Sequence, residues 1–572
     1  MDHLTLRQKF LDFFRARGHS VVLSAPLLPK DDPSVLLNSA GMQQFKPYFV
    51  GAQDAMADFG SLNATSIQKC FRTVDIDEVG DETHLTFFEM MGNFSFGGYG
   101  KPEAIAYAWE FLNSAGYLNI PASRLSATYY NGNRPGTVAD DEARILLEGL
   151  SGLSQITPQP DTDNFWGPTG TEGPCGPTVE FYVDGVEVWN LVFNEFYSNA
   201  DKSLSPLKTR GVDTGMGLER LLAALHSLPN VYETDVLKPL TQLASHLPVK
   251  SQRIIADHAR GTVFLLADKV MPSNKEQGYI LRRILRRLIL HIQGSGIGLE
   301  TVLQTVIDLF APVYPELTQN SAEILTAARA EADKFSRTID LGERELVKFV
   351  DQGKTELTGE EAFKLFASYG LPIDFIKEKI SVDVPGFDAA FAAHQAISRA
   401  GVEQKFGGHG LSAGAAVSEE DRRLITRLHT ATHLLHAALR EVLGDEAQQS
   451  GSDITPERTR FDFSFPRKLS PEEIKAVEDW VNAKISTGFV VKKETLPYTE
   501  AISSGAIAFF KEKYPEVVTV YTLYNEAAGE VVSRELCGGP HVESSSELGH
   551  FKITKEESSS AGIRRIKAIL EK

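Results

Sequence analysis

Cysteine is nearly absent from this chain. Its 572 residues hold Cys70, Cys175 and Cys537, and none belongs to a C-x-x-C pair. A disulfide framework is excluded, and a reducing cytoplasmic setting is expected. Long apolar runs are missing too. None could cross a bilayer, and the start, MDHLTLRQKF, has no apolar signal core. An excess of positive charge is also lacking: 58 Lys and Arg stand against 76 Asp and Glu, for a net charge of −18. That excludes a generally adhesive nucleic-acid binder, so any RNA contact must come from local basic patches. No G-x-x-x-x-G-K-[ST] string occurs, which removes the P-loop nucleotide binders. Low-complexity tracts and short repeats are absent as well. What is present, 42% hydrophobic and 23% charged residues, is ordinary for a globular chain long enough for several domains.

Two short motifs carry the first chemistry. H-T-A-T-H runs from His429 to His433, and C-G-G-P-H from Cys537 to His541. The first lies in a helical pattern starting near Ser418, with Glu419, Glu420 and Asp421 suiting its dipole, and stopping at Gly444. An i, i+4 pair emerges from one helix face. Three imidazoles and one thiolate suit tetrahedral zinc, so His429, His433, Cys537 and His541 are the expected ligands. A metalloprotease helix needs Glu after its first His, and Thr430 stands there, so the protease reading fails. A closed structural site and an open catalytic one both remain compatible with these residues.

The front of the chain reads as an antiparallel sheet. Leu4 to Arg17 form an amphipathic helix with Leu6, Phe10, Phe13 and Phe14 on one stripe, and Gly18 ends it. VEFYVDGVEVWNLVF is a hairpin pattern around Asp184-Gly185, a dipeptide that favours a type I′ turn. TSIQKCFR and LTFFEMMGNFSF form a second strand pair across the acidic loop Asp75 to Glu82. Most of Phe87, Phe88, Phe94 and Phe96 read as core. Arg72 ends the first strand of that pair, and Arg220 closes D-T-G-M-G-L-E-R. Gly215 and Gly217 there allow close backbone approach. Alone, each arginine reads as a surface residue. Together, in these contexts, they point to a nucleotide phosphate site outside the P-loop class. Further on, Gly278 to His291 is a basic helix, with Arg282, Arg283, Arg286 and Arg287 gathered on one side.

These residues also carry a resemblance. NSAGMQQFKP, TFFEMMGNFSFG, DNFWGPTGTEGPCGP, VWNLVFNEF, VDTGMGLER, HTATHLLHAALREVLG, ELCGGPHV and SSSAGIRRI occur in this order. The chain resembles the alanine–tRNA ligases (alanyl-tRNA synthetases) of class II. The resemblance implies an α+β multidomain fold. It would hold a class II antiparallel sheet with flanking helices over 1–240 and a helical acceptor-stem recognition domain over 241–400. A linker over 401–417 and an α+β zinc-containing editing domain over 418–572 would follow. It implies ATP-dependent attachment of alanine to tRNA(Ala) through alanyl-adenylate. A hydrolase acting only in trans on mischarged tRNA is the alternative; its free-standing relatives lack the ATP motifs. A non-catalytic RNA-binding paralogue is a third reading, opposed by Arg72, Asp213 and Arg220.

By the same resemblance, Arg72 binds the α-phosphate, Arg220 the outer phosphates, and Phe88 the adenine face. Asp213 pairs with the amino group of alanine. Met42, Trp166, Asn190, Val192 and Gly215 line the alanine pocket, and Mg²⁺ accompanies ATP. Arg282, Arg283, Arg286 and Arg287 become a phosphate-binding face for the acceptor stem. Asn274 and Asp374 read a G·U wobble pair through the guanine amine in the shallow minor groove. One methylene supplies only about 1–3 kcal/mol of discrimination, so a pocket for alanine cannot strongly reject glycine or serine. A second, hydrolytic site is implied for mischarged seryl- and glycyl-tRNA, with Zn²⁺ on the four ligands, Gln449 in its pocket, and His436 structural. Four departures accompany this. From Lys405, KFGGHGLSAGAA runs almost directly into the His-bearing helix, where typical members carry a β-barrel segment. The chain stops soon after Arg565, without the usual C-terminal extension, so a monomer with weaker tRNA affinity is expected. The loop after Arg72 is short and acidic, and Pro540 stands where Thr is usual.

Overall fold

The structure is a computed structural model. It describes all residues except 30–31, 33–34, 154, 169, 171, 394–417, 509–516, 561 and 572, together with the side chains of 337, 374, 378 and 560. The expected linker, 401–417, therefore lies outside the described residues. The chain forms two compact units. One is Met1–Leu357 with Lys364–Ser381, and the other is Thr358–Phe363 with Val382–Lys572.

The first unit is built on a mixed, mostly antiparallel sheet. Its strands are β1 (Ser20–Val21), β2 (Asn63–Phe71), β3 (Phe87–Ser95), β4 (Leu125–Tyr130), β5 (Gln155–Gln159), β6 (Phe165–Trp166), β7 (Gly173–Val183), β8 (Val186–Ser198) and β9 (Leu204–Gly217). Among the described residues the order is β1-β2-β3-β9-β8-β7-β4-β5, with β6 beside β7. Among the described residues of this sheet, only the edge pairs β1–β2 and β4–β5 are parallel. The β7–β8 hairpin turns at Asp184 and Gly185, both at positive φ (49° and 83°), as a type I′ turn requires.

Strand alternation divides the sheet into two faces. Phe71, Phe87, Met91, Val179, Phe181, Trp189, Leu191, Phe193, Val212 and Met216 belong to one continuous core. Helix α1 (His3–Arg15) adds Leu6, Phe10, Phe13 and Phe14 to it, and α2 (Lys101–Asn113) adds Ala104, Ile105, Ala108 and Phe111. Asp2 caps α1 by accepting from Thr5 N at 2.7 Å. The same core continues into α3 (Leu218–Leu225), α4 (Val249–Ala267), α5 (Glu276–Ile292) and α6 (Leu299–Phe310), and reaches Ala328 in α7 (Ser321–Asp351). The opposite face carries Phe88, Met90, Phe94, Asn190, Val192, Asp213 and Gly215, and it is this face that meets the candidate ligand residues.

The second unit places α8 (Glu419–Leu443) and α9 (Pro471–Thr487) on two small sheets. Ser418 caps α8, accepting from Asp421 N at 3.1 Å, and Gly444 ends it at φ 97°. One sheet joins β10 (Gln449–Ile454), β11 (Thr459–Ser464), β15 (His550–Ser560) and β16 (Ile563–Glu571) in the order β10-β11-β16-β15. The other joins β12 (Val490–Pro497), β13 (Val517–Asn525) and β14 (Glu530–Leu536) in sequence. Its core includes Leu434, Leu435, Ala438 and Leu439 of α8 with Phe461, Phe463, Val477, Leu523 and Ile566. Among the described residues no helix is long and apolar enough to cross a membrane.

Candidate functional site

The sheet register aligns the candidate ligand residues of the first unit. Val192 of β8 stands directly opposite Asp213 of β9, and Asn190 opposite Gly215. On the other side of β9, Phe94 of β3 faces Asp213 and Met90 faces Gly217. A Cβ on Gly215 would lie 2.9 Å from Met90 Sδ, so a side chain there would fill the space above the strand. Met42, buried on the 3-10 turn Gly41–Phe45, packs in a small cluster with Phe45 and Phe94, joined by Met90 and Trp166. These residues lie about a carboxylate on the same face of the sheet.

That carboxylate is Asp213. It is 5% exposed, and among the described residues it makes no hydrogen bond or ion pair. Burial pushes its pKa up to about 8. A buried anion site without a cation is costly unless a ligand supplies one. Next to it on the face, Asn190 donates Nδ2 to Glu180 at 3.1 Å, and Tyr182 donates to the same carboxyl. Burial pushes Glu180 up to about 7, with the charges of Glu187 and Asp163 acting in the same direction and Arg220 opposing them.

The two arginines lie at the other end of these strands. Asp213 and Gly217 are four residues apart, roughly 13 Å along β9. Arg220 follows on α3, and its guanidinium meets Glu187 at 2.8 Å with both partners partly exposed. Arg72 follows β2. Its N–H donates to Thr86 O at 2.8 Å, and its guanidinium covers the half-buried Phe88 ring at 4.8 Å. The strand order therefore sets the buried carboxyl of Asp213 with apolar neighbours at one end and two cations with an aromatic ring at the other.

The basic helix α5 departs from the expected uniform face. Arg287 is buried, and it donates to Ile76 O, to Val79 O at 3.1 Å and toward His258 Nε2 at 3.2 Å. It is an internal strut, not a surface cation open to a phosphate. Arg286 meets the buried carboxylate of Glu331 at 2.7 Å and Arg282 meets it at 3.2 Å. Arg282 also donates to Asn274 Oδ1, and Arg283 pairs with Asp77. The expectation for Asp374 falls on a side chain outside the described ones.

In the second unit, His429, His433, Cys537 and His541 offer ligand atoms that all lie within 4.8 Å of one another. That is somewhat wider than the roughly 3.4–3.8 Å edges of a tetrahedron around zinc. The outer ring nitrogens are each tied to protein. His429 Nδ1 meets Pro540 O at 2.9 Å, His541 Nδ1 meets Thr430 Oγ1 at 3.1 Å, and His433 Nδ1 meets Glu535 at 2.8 Å. The Nε2 atoms are thereby left for the centre, where Cys537 Sγ stands 3.4 Å from His429 Nε2. The donor set and its tethers fit a zinc ion. Burial works to raise the Glu535 carboxyl, but His433 and His436 outweigh it and hold it down at about 2. His436 Nδ1 meets Glu535 at 3.1 Å, outside the ligand set. Gln449 opens β10 and donates to Ser452 at 3.1 Å.

Sequence reasoning missed Glu535 and Tyr521, whose ring centre lies 4.3 Å from that of His541. Glu535 had a local signal, two residues before Cys537. Tyr521 had none, because β13 is joined to the motif only through the sheet.

Two family models match this chain. The family model described as tRNA synthetases class II (A) matches residues 5–441. The one described as Threonyl and Alanyl tRNA synthetase second additional domain matches residues 518–567. An alanine–tRNA ligase of Treponema pallidum is 42% identical over 99% of this chain and 98% of its own length. Those of Treponema denticola and Borrelia hermsii are 43% and 39% identical, again over 99% of this chain, and over 98% and 99% of their own lengths.

Proposed function

This chain belongs to the alanine–tRNA ligase family of class II synthetases, and from that premise we propose how its residues divide the work. The chain is a ligase that couples ATP to the charging of tRNA with alanine. In the proposed alanine site, Asp213 receives the α-ammonium, while Val192, Met42 and Trp166 limit the side chain to a methyl. The alanine carboxylate attacks the α-phosphorus of ATP, its oxygen bonds to phosphorus, and pyrophosphate leaves with the bridging electron pair. Arg72 stabilises the charge on the α-phosphate and Arg220 the outer phosphates. A polyphosphate is a stronger partner for Arg220 than the partly exposed Glu187. Magnesium adds positive charge to ATP when bound.

The observation that carries this reading is the buried carboxylate of Asp213, which among the described residues has no cation of its own and is flanked by Val192 and Phe94. Alanine-dependent ATP–pyrophosphate exchange tests it. Asp213→Ala should abolish the exchange while ATP binding persists. Retained exchange in that variant would overturn the assignment.

The second unit is proposed to edit. His429, His433, Cys537 and His541 would hold zinc, which as a Lewis acid can polarise an ester carbonyl or fix a substrate hydroxyl. Seryl- and glycyl-tRNA are the proposed substrates, with Gln449 at the pocket. Metal analysis of the purified protein tests this directly, and absence of zinc would sink it. Asn274, Asp374 and the exposed parts of Arg282, Arg283 and Arg286 are proposed to meet the acceptor stem. A monomeric state and a cytoplasmic location complete the reading; sedimentation tests the first and cell fractionation the second.

A further inference from the structure

Two buried residues of one helix bind the neighbours of both phosphate-gripping arginines. Asp257 and Arg260 sit three residues apart on α4, on the same helix face, and both are fully buried. Asp257 accepts from Thr86 N at 2.8 Å and from Thr86 Oγ1 at 2.5 Å. Thr86 O in turn accepts from Arg72 N at 2.8 Å. Arg260 donates to Phe87 O, the residue before Phe88, and to Glu219 at 2.6 Å, the residue before Arg220. Glu219 closes the circuit by accepting from Glu89 N at 3.3 Å. Each arginine is thus joined to α4 through one intervening residue, Thr86 for Arg72 and Glu219 for Arg220.

Stability alone does not account for this arrangement. Two opposite charges taken fully out of water lose about as much hydration as they regain in attraction, and apolar residues of similar volume are often no worse. The geometry is more demanding than packing needs. The planar guanidinium of Arg260 reaches two separate elements at once, a strand carbonyl and a helix carboxylate, which a lysine cannot reproduce. A chain of contacts also extends outward. Asp257 meets His258 Nδ1 at 2.9 Å, His258 Nε2 lies 3.2 Å from Arg287 of α5, and Arg287 holds the carbonyls of Ile76 and Val79 in the loop after Arg72.

We propose that Asp257 and Arg260 are positioning residues that set the spacing between Arg72 and Arg220 for ATP, so that α4 works as a strut between the helical region and the nucleotide end of the sheet. The inference rests on the ATP roles given to those two arginines. It leaves the alanine site alone, because Asp213 lies four residues further along β9 and touches neither α4 residue.

The test is alanine-dependent ATP–pyrophosphate exchange by the full chain, with ATP and alanine varied separately. Asp257→Asn keeps size, and the double variant Arg260→Met with Glu219→Met removes a buried charge pair together, so that neither charge is left orphaned. In both, kcat/KM for ATP should fall about tenfold to a hundredfold, while KM for alanine stays within about twofold and the melting temperature holds. Arg260→Lys should fall between these variants and the parent. If KM for ATP and for alanine rise together, or if neither moves in a folded variant, the strut does not exist. Arg72→Ala and Arg220→Ala belong in the same series. Unchanged ATP kinetics in those two would refute the arginine roles themselves, whereas a loss there with none in the α4 variants would refute only the strut.

Discussion

Asp213 and His541 are both withdrawn from water, yet their surroundings treat them in opposite ways. Around Asp213 the sheet provides Val192, Phe94 and Met90 but, among the described residues, no cation, and burial lifts its carboxyl to about 8. Around His541, and around His429 and His433, the protein supplies a partner for every outer ring nitrogen. The sheet face keeps a charge unmatched, which suits a small ligand bearing an ammonium. The histidine cluster has its orientation settled before anything binds and leaves only inward lone pairs, which suits an ion. Burial is common to both. The class of ligand follows from what the surroundings supply, apolar groups beside Asp213 and converging imidazole and thiol donors in the cluster.

The largest expected effect breaks the first half of this contrast. Asp213→Asn should lower alanine-dependent exchange by about a thousandfold or more, since the unmatched charge is the recognition element. The same change should stabilise the empty protein. A carboxyl whose folded pKa is raised contributes most stability below its unfolded value, and that contribution is lost as pH rises toward the folded value. The window here runs from 3.8 to about 8. At pH 8 the Asn variant should therefore resist urea better than the parent by a few kcal/mol, on the order of what such a shift implies. Equal stability of the two would show that Asp213 is already compensated.

Removing a ligand tests the second half. Cys537→Ala should lose zinc in elemental analysis and allow seryl-tRNA to accumulate, while alanine-dependent exchange stays within about twofold, because the two centres share no residue. A smaller effect is expected one shell out. Glu535→Gln retains the shape but weakens the hold on His433, and zinc affinity measured by competition with a chelator should drop about 10- to 100-fold. The smallest is a pH effect. KM for alanine should fall on the order of tenfold between about pH 6.5 and 8.5 as Asp213 ionises, and a flat profile would contradict the raised carboxyl.

Much of this was legible along the chain where a local rule decides the outcome. Asp184-Gly185 announces a type I′ hairpin because both residues tolerate positive φ. Ser418 and Gly444 bound the His-bearing helix within a residue, since capping chemistry acts over one turn. The histidine pair reads as one face from its spacing alone. Arg287 shows where such rules stop. Its helical position groups it with Arg282, Arg283 and Arg286, but only the packing of α5 against the Ile76–Val79 loop turns it from a surface cation into an internal donor. Glu219, Asp257 and Arg260 carried no signal for the same reason, because their partners stand 41 to 173 positions away in sequence.

By itself, then, the order of residues determined the elements, the four metal-type donors and the arginines at their motif ends, all of which depend on periods and turns a few residues long. Tertiary structure alone decided that Val192, Asp213 and Phe94 meet across three strands, that Asp213 lacks a cation among the described residues, and that one buried helix binds both Thr86, which holds the backbone of Arg72, and Glu219, the neighbour of Arg220. Those facts depend on strand register and on desolvation. Both arise only when distant segments exclude water from the same space.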